Sequence, residues 1–433
     1  MQDFINVGLL GAGTVGGGVI HVLERNAEDI AQKVGKPIRI TKVFGRDPQA
    51  LRQEYGDAYY YTANADDILQ DPAIDIVVEL LGREHPAKEL IAQALTQGKN
   101  VVTANKDVIA KYGKFLFAIA EEKQCDLMFE AAVAGGIPII QPLKTSLAAN
   151  RVRSLMGIVN GTTNYMLTKM SQEHLDYAEV LADAQAKGYA ESDPTADVGG
   201  LDAARKLVIL ASIAFNTPVA LKDVQVEGIQ HISLRDIEYA QELGYAIKLL
   251  AIAKNDPQHG ISVSVHPTML PQNHPLAVVN DVYNAVFVTA DTVGDTMFMG
   301  LGAGRYPTAS AVCGDIMDVA RNMQHHENGR IRCTCYKEKQ LCPLENVLTP
   351  CYIRMYVKDQ SGALAAIAAA FGAQNVSLRN VIQKAKVDGA AEVVVITHTV
   401  SEANLQMALQ VLQVLPVVSQ VCTVIRVEDG SLE

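Results

Sequence analysis

Several things are absent from this chain of 433 residues, and each absence removes a class of function. No dense run of lysine and arginine interrupts a composition of 48 acidic against 37 basic residues and a formal charge of -11. Nucleic acid is therefore not an expected partner. No apolar run approaches the length of a membrane span: the longest, Leu207 to Phe215, is far too short. The opening stretch MQDFINVGLLGAG has no basic leader and enters a strand-like run at once, so neither a secretory nor a transit peptide is expected. Internal repeats and low-complexity tracts are missing as well. Seven cysteines, an odd number scattered over a long chain, suit reduced thiols better than a disulfide framework. Together these features point to a cytoplasmic protein of two to four domains, with no membrane partner.

What is present begins with a rhythm. From residue 4 to about 150, the Val- and Ile-rich runs FINVGLL, IRITKVF, IDIVVELL, NVVTA and DLMFEAA alternate with amphipathic stretches of helical length. That alternation predicts an α/β fold, a doubly wound parallel sheet of Rossmann type over residues 1–150. Residues 151–320 lose the rhythm. Helical patterns over 177–187, 201–215 and 237–254, followed by the β-like runs ISVSVHP and NAVFVTA, predict an α+β domain. The polar segment 321–349 reads as a linker, and 305–325 is expected to pack back on the first domain. Residues 350–433 then run β-α-β-β-α-β, the order of a ferredoxin-like domain.

The first strand leads into GLLGAGTVGGGV, which sets Gly11, Gly13 and Gly16 in a G-x-G-x-x-G pattern, with Thr14 and Val15 opening the helix. Such glycines permit a tight turn, close approach of backbone to a pyrophosphate, and close packing of helix on strand. A nicotinamide dinucleotide is the expected cofactor. The second strand ends at Gly45-Arg46-Asp47. Arg46 would accommodate the 2′-phosphate of NADP, whereas Asp47 could neutralise Arg46 or serve the ribose of NAD. Thr103-Ala104-Asn105-Lys106 closes another strand, where open α/β sheets bind ligands, so Lys106 either enters the cofactor crevice or lies solvated on the next helix. In FEAAVAGGIPII, Glu130 precedes a Gly-Gly pair, and carbonyls of Val133, Gly135 and Ile137 could ligate a hard cation. On the residues alone, a glycine-rich turn is the preferred reading.

The densest chemistry is GYAESDPTADVGGLDAARK, residues 188–206, with Glu191, Asp193, Asp197, Asp202 and Lys206. Pro194 and Gly199-Gly200 make a loop, and Asp202 and Lys206 share a face of the following helix. One reading is a surface ion pair below a solvated acidic loop. The other gives the carboxylates a cationic substrate group and Lys206 the proton of a hydroxyl whose carbon surrenders hydride. Six further residues, His325, His326, Cys333, Cys335, Cys342 and Cys351, have spacings unlike those of zinc sites, and read as reduced thiols with neighbouring histidines.

Through that segment, and through GIVNGTTNYML (157–167), VTANK (102–106) and GLGAGRYPTASAV (300–312), the chain resembles homoserine dehydrogenases of the longer, monofunctional type with a C-terminal ACT domain. The resemblance covers the whole chain and includes no amino-terminal kinase module. It implies interconversion of L-homoserine and L-aspartate 4-semialdehyde with NADP or NAD, on the route to threonine and methionine. Lys206 would then be the acid/base, with Lys106 against cofactor and substrate. Glu191 and Asp202 would hold substrate, with Asp197 nearby and Gly161 in the NGTTN segment a candidate donor to its carboxylate. Gly188 and Gly304 would approach the cofactor, beside Gly11, Gly13, Thr14, Val15, Gly16, Arg46 and Thr103. The resemblance also implies a sodium ion at Glu130, Val133, Gly135 and Ile137, a homodimer or higher homo-oligomer formed through the middle domain, and an L-threonine effector at the ACT domain, near Asp359, Gly362 and Leu364. Two rivals stay open: another Rossmann oxidoreductase of amino acids or semialdehydes, and a non-catalytic amino-acid sensor.

Overall fold

The computed structural model describes residues 4–338, 340–387 and 390–428, so the first three and last five residues of the outer domains lie outside the description. The described residues gather into two units: 1–152, 205–222 and 284–339 in one, and 153–204, 223–283 and 340–433 in the other.

In the first unit, six strands form a parallel sheet: β1 (Ile5–Leu10), β2 (Ile38–Phe44), β3 (Tyr60–Thr62), β4 (Ile76–Glu79), β5 (Asn100–Thr103) and β6 (Leu127–Met128), in the order β3-β2-β1-β4-β5-β6. All six residues of β1 are buried, as expected of a strand covered on both faces. The order reverses between β1 and β4, and such switch points are where doubly wound sheets bind ligands. Five of these strands follow from the Val and Ile runs. The sixth, β3, is three residues long and carries an exposed Tyr60, too little pattern to announce itself.

Helix Thr14–Arg25 leaves the end of β1 and packs against helix Arg305–His325, which returns to this unit from far along the chain. The run Gly16-Gly17-Gly18 explains the fit. A Cβ at Gly18 would lie 2.7 Å from the Arg305 carbonyl oxygen and 2.9 Å from the Ala309 methyl, so only glycine lets the two helices meet here.

In the second unit, seven strands lie side by side as part of a ten-stranded sheet, and the short strand Gln225–Val226 pairs with Gly260–Pro271 off this row. The order of the seven is Val152–Ile158, Tyr245–Asp256, Gly260–Pro271, Val418–Val427, Cys351–Lys358, Ala390–Thr397 and Leu378–Val387. The last four, with helices Ala363–Ala373 and Glu402–Val414, make the ferredoxin-like domain in the order of its own strands 4-1-3-2.

Here one expectation fails. The pattern over 237–254 predicts a single helix, but the helix is Leu234–Glu242, and Tyr245–Asp256 is a strand. Gly244, at φ +81°, ends the helix in a conformation that side-chain-bearing residues avoid. The residues beyond it pair antiparallel with Gly260–Pro271 along twelve positions, and that tertiary partner overrides the local propensity.

The ferredoxin-like domain is joined to the rest of its unit by more than chain. Thr268 and Met269 pair with Arg426 and Val427, and a buried cluster ties the domain to helix Leu234–Glu242. There Arg354 Nε donates to Asp236 Oδ1 at 2.7 Å, while Glu392 accepts from Tyr239 and Arg235 at 2.6 and 3.0 Å. The polar run before it is anchored too: Gly329 N–H donates to Asp126 at 2.8 Å, and Ile261 pairs with residues 340 and 342.

Candidate active site

At the glycine turn, three glycines do three jobs. Gly11 has φ +101°, a value only glycine adopts freely, and turns the chain out of β1. A Cβ on Gly16 would lie 2.1 Å from the Gly11 carbonyl oxygen, so this position fixes helix against turn. A Cβ on Gly13 would meet nothing within 4 Å, and the open space there is room for a ligand. Gly13 is also the N-cap of helix Thr14–Arg25; it supplies no side-chain hydrogen bond, and the first turn holds no acidic residue. Helix Arg305–His325 likewise starts on a glycine, Gly304, without a side-chain cap. Uncapped helix starts with open approach are what a diphosphate requires. Thr14 is exposed and Val15 half-buried at the mouth of this turn.

At the end of β2, the structure separates Arg46 from Asp47. Asp47 Oδ1 accepts from Gln49 N–H at 3.0 Å and Ala50 N–H at 3.1 Å, capping helix Pro48–Tyr55. Arg46 is exposed beside it.

The end of β5 is organised by a buried carboxyl. Thr103 Oγ1 donates to Glu79 Oε2 at 2.6 Å, and burial raises the Glu79 carboxyl above its ordinary range. The Thr103 side chain is therefore committed to the sheet, and what it can offer a ligand is backbone. Asn105 caps helix Lys106–Glu122 through Val108 N–H at 3.2 Å, which starts that helix at Lys106. One residue on, Asp107 Oδ1 meets Arg205 Nε at 3.2 Å. This ion pair pins the first turn of the helix to helix Leu201–Ala214, next to Lys106 on one side and Lys206 on the other.

Glu130 is buried and turned inward. Its Oε1 accepts from Ile139 and Ile140 N–H at 2.6 and 2.7 Å, and its Oε2 from Gln141 N–H at 2.7 Å, so it caps helix Ile140–Lys144. Burial raises its carboxyl, and the three backbone donors pull the other way. The loop through Val133, Gly135 and Ile137 is forced: Ala134 and Gly135 have φ near +55°, and a Cβ on Gly135 would lie 2.4 Å from the Gly302 carbonyl oxygen. Among the described residues, no group of three or more His, Cys, Asp or Glu side chains is placed to hold a metal ion.

In the second unit, the acidic segment is arranged around a residue that the spacing does not single out. Asn160 Nδ2 donates to Asp197 Oδ1 at 2.8 Å and to Asp202 Oδ2 at 3.0 Å. Asn160 Oδ1 accepts from Thr163 N–H at 2.9 Å, as N-cap of helix Gly161–Glu173. That bond fixes which end of the amide faces the carboxylates. An Asn before Gly-Thr-Thr is a cap signal, and the cap was the available clue. Thr162 Oγ1 donates to the Tyr189 carbonyl oxygen at 2.5 Å and holds the 188–200 loop over this helix start. Gly188 is exposed at φ +72°, and Glu191 is exposed beyond it.

Asp193 has a local task. Its Oδ1 accepts from Thr195 N–H and Thr195 Oγ1 at 3.1 and 2.6 Å, and those bonds hold its carboxyl below the usual range. It shapes the turn. Asp202 is buried, and Lys206 follows four residues later on the same helix, half-buried.

Comparison with known proteins converges on one family. The family described as "Homoserine dehydrogenase" matches residues 138–317, its NAD binding domain matches residues 11–130, and the ACT domain matches residues 352–417. The chain is 42% identical over 431 residues to a homoserine dehydrogenase of Neisseria gonorrhoeae, covering 98% of this chain and 99% of that one. It is 43% identical over 429 residues to one of Bacillus subtilis, with 98% and 99% covered. Among solved structures, a homoserine dehydrogenase from Thiobacillus denitrificans matches with a TM-score of 0.93 and 42% identity, covering 98% of each chain. A hyperthermophilic archaeal homoserine dehydrogenase in complex with NADPH matches with a TM-score of 0.63 and 26% identity, covering 73% of this chain and 97% of that one.

Proposed function

The chain belongs to the homoserine dehydrogenase family, an NAD(P)-dependent oxidoreductase with an ACT domain, and from that premise we propose that it interconverts L-homoserine and L-aspartate 4-semialdehyde, with Lys206 as the acid/base. When bound, the nicotinamide exchanges hydride with the substrate carbon. The protein must then handle the hydroxyl proton. Lys206 removes it as the alcohol is oxidised and returns it in the reverse direction.

The observation that carries this reading is the Asn160 bridge. Two carboxylates held by one amide, one of them a helical turn before Lys206, form an acidic cradle that a solvated surface pair would not need. Glu191 and Asp202 take the substrate ammonium, and Asp197 supports them. The backbone amides of Gly161 and Thr162, at an asparagine-capped helix start, receive the substrate carboxylate. Lys106 contributes from the first turn of its own helix, positioned by the Asp107–Arg205 ion pair.

For the cofactor, the residues fit: Gly11, Gly13 and Gly16 with the Thr14 and Val15 amides take the diphosphate, and Gly188 and Gly304 approach it. Arg46 favours NADP(H), because Asp47 is spent on its helix cap and the archaeal relative is described with NADPH. Sodium fits as well. A carboxylate has roughly four acceptor positions. Three backbone amides occupy Glu130, and the remaining one, with the carbonyls of Val133, Gly135 and Ile137, would supply oxygen ligands of the kind a hard cation takes.

We assign 1–150 with 305–325 to cofactor binding, 151–320 to catalysis and homodimer or higher assembly, 321–349 to the connection and 350–433 to the ACT domain. L-threonine at the ACT domain would inhibit. The cytoplasm is the compartment that suits a chain whose cysteines are all unpaired.

The test is an assay of reduced nicotinamide formed from L-homoserine with NADP+ or NAD+, with and without millimolar L-threonine. Turnover faster with NADP+ and slowed by threonine is expected. No reduction of either cofactor refutes the substrate, and an unchanged rate with threonine refutes the regulation.

A further inference from the structure

Cys333, Thr334 and Cys335 line a cavity of about 230 Å³ that the proposed reaction does not use. It lies wholly within the first unit, between helix Lys106–Glu122 and helix Leu201–Ala214, with Phe117, Phe129 and Val208 among its apolar walls. Three lysines line it, Lys111, Lys114 and Lys144. Lys144 Nζ sits 4.7 Å from the centre of the Phe117 ring and 5.1 Å from that of Phe129, with Lys114 beside it. The two thiols are separated by one residue and share the cavity wall: the Cys335 S–H donates to the Ser212 carbonyl oxygen, 3.7 Å away, and its sulfur neighbours that of Cys333. The segment is fixed in place, since Lys337 N–H donates to the Asn216 carbonyl oxygen at 2.8 Å.

We propose that Cys333 and Cys335 form a thiol–disulfide exchange site for anionic low-molecular-weight disulfides, with Cys333 as attacking thiolate, Cys335 as resolving thiol, and Lys144 and Lys114 drawing the anion in. The electrostatics agree. The neighbouring Cys335 thiol, with Lys144 and Lys114 beyond it, lowers the Cys333 thiol, while the same pairing and burial raise Cys335. Of the two, Cys333 is therefore the readier thiolate and Cys335 the thiol that holds its proton longer.

In the first step, the Cys333 thiolate bonds to one sulfur of R–S–S–R and expels RS⁻. In the second, Cys335 loses its proton, attacks Cys333 and expels the second thiolate. The balance is one R–S–S–R and two protein thiols converted to one Cys333–Cys335 disulfide and two R–SH; the small disulfide is the oxidant. The other five cysteines are placed differently: Cys125, Cys313 and Cys351 are buried and raised to about 11 or 12, and Cys342 and Cys422 are also raised by burial.

The experiment incubates the full chain with oxidised glutathione at neutral pH, then maps peptides by mass. Wild type should lose both thiols with no added mass, as an internal disulfide that dithiothreitol reverses. Cys335→Ser should retain one glutathionyl group on Cys333, and Cys333→Ser should leave Cys335 unmodified. Free thiols at both positions in wild type while Cys422 is modified would overturn the proposal. So would modification of Cys335 in Cys333→Ser at the wild-type rate.

Discussion

Asn160 Nδ2 lies 2.8 Å from Asp197 Oδ1 and 3.0 Å from Asp202 Oδ2, with the other end of its amide locked onto Thr163. One side chain thus starts a helix and holds two carboxylates side by side. Replacing Asn160 with alanine removes the cap, at about 1 kcal/mol of stability. It also leaves two carboxylates without their shared donor. A charge-assisted bond is worth about 1.5–3 kcal/mol, so kcat/KM for L-homoserine should fall by roughly 10- to 100-fold. Steady-state kinetics beside a denaturant melt separates the two effects. An unchanged kcat/KM would show that the bridge is only a cap.

The glycine turn makes a paired prediction. Gly13→Ala adds a methyl to open space and should leave the melting temperature near wild type, while the cofactor KM rises by roughly tenfold, about 1.4 kcal/mol. Gly16→Ala drives a methyl into the Gly11 carbonyl oxygen and should cost about 1–3 kcal/mol of stability. Calorimetry and cofactor titration of both variants check this, and the reverse pattern would contradict the assignment of the two positions.

Cofactor choice should follow Arg46 and not its neighbour. Arg46→Ala is expected to raise the KM for NADP+ by about 10- to 100-fold, the value of one charge-assisted phosphate contact, and to leave that for NAD+ unchanged. Asp47→Ala should cost about 1 kcal/mol through its lost cap with no change in preference. Kinetics with both cofactors would show an equal effect on each if Arg46 were merely a surface charge.

A pH effect comes from His266, fully buried on strand Gly260–Pro271 and depressed by burial to about 3. The unfolded chain binds this proton near the ordinary value of about 6.5, well before the folded protein does. Stability is therefore complete above that value and is lost as pH falls toward 3. At a pH of about 5 the loss from this residue is about 2 kcal/mol. His266→Asn should flatten the fall between neutral pH and that point in urea melts; an equally steep fall would exclude His266 as its source.

The fold was largely legible in the sequence, and the acidic site only partly. Val and Ile runs between helical stretches announce five of the six parallel strands, and the β-α-β-β-α-β order announces the carboxy-terminal domain. What was not legible depends on partners far away in the chain. Tyr245–Asp256 looks helical until it pairs with Gly260–Pro271. The junction of Thr268 and Met269 with Arg426 and Val427 rests on two residue pairs nearly 160 positions apart. In the acidic segment, Asp193 shapes the turn through Thr195, a task its place in a run of carboxylates does not distinguish. Asn160 does not read as the organiser of Asp197 and Asp202, because that needs the 188–200 loop folded over its helix start, a contact made through Thr162 and Tyr189. The Gly17-Gly18 pair likewise becomes intelligible only once helix Arg305–His325 is laid across it.

Lys206 bears the central claim, and Lys206→Met tests it while keeping most of the side chain's bulk. With L-homoserine and NADP+ both saturating, single-turnover formation of reduced nicotinamide should fall by about 10²- to 10⁴-fold, the worth of a general base, while cofactor affinity measured by fluorescence titration stays within about twofold. Hydride transfer in that variant within a few-fold of the wild-type rate would contradict Lys206 as the residue that moves the proton.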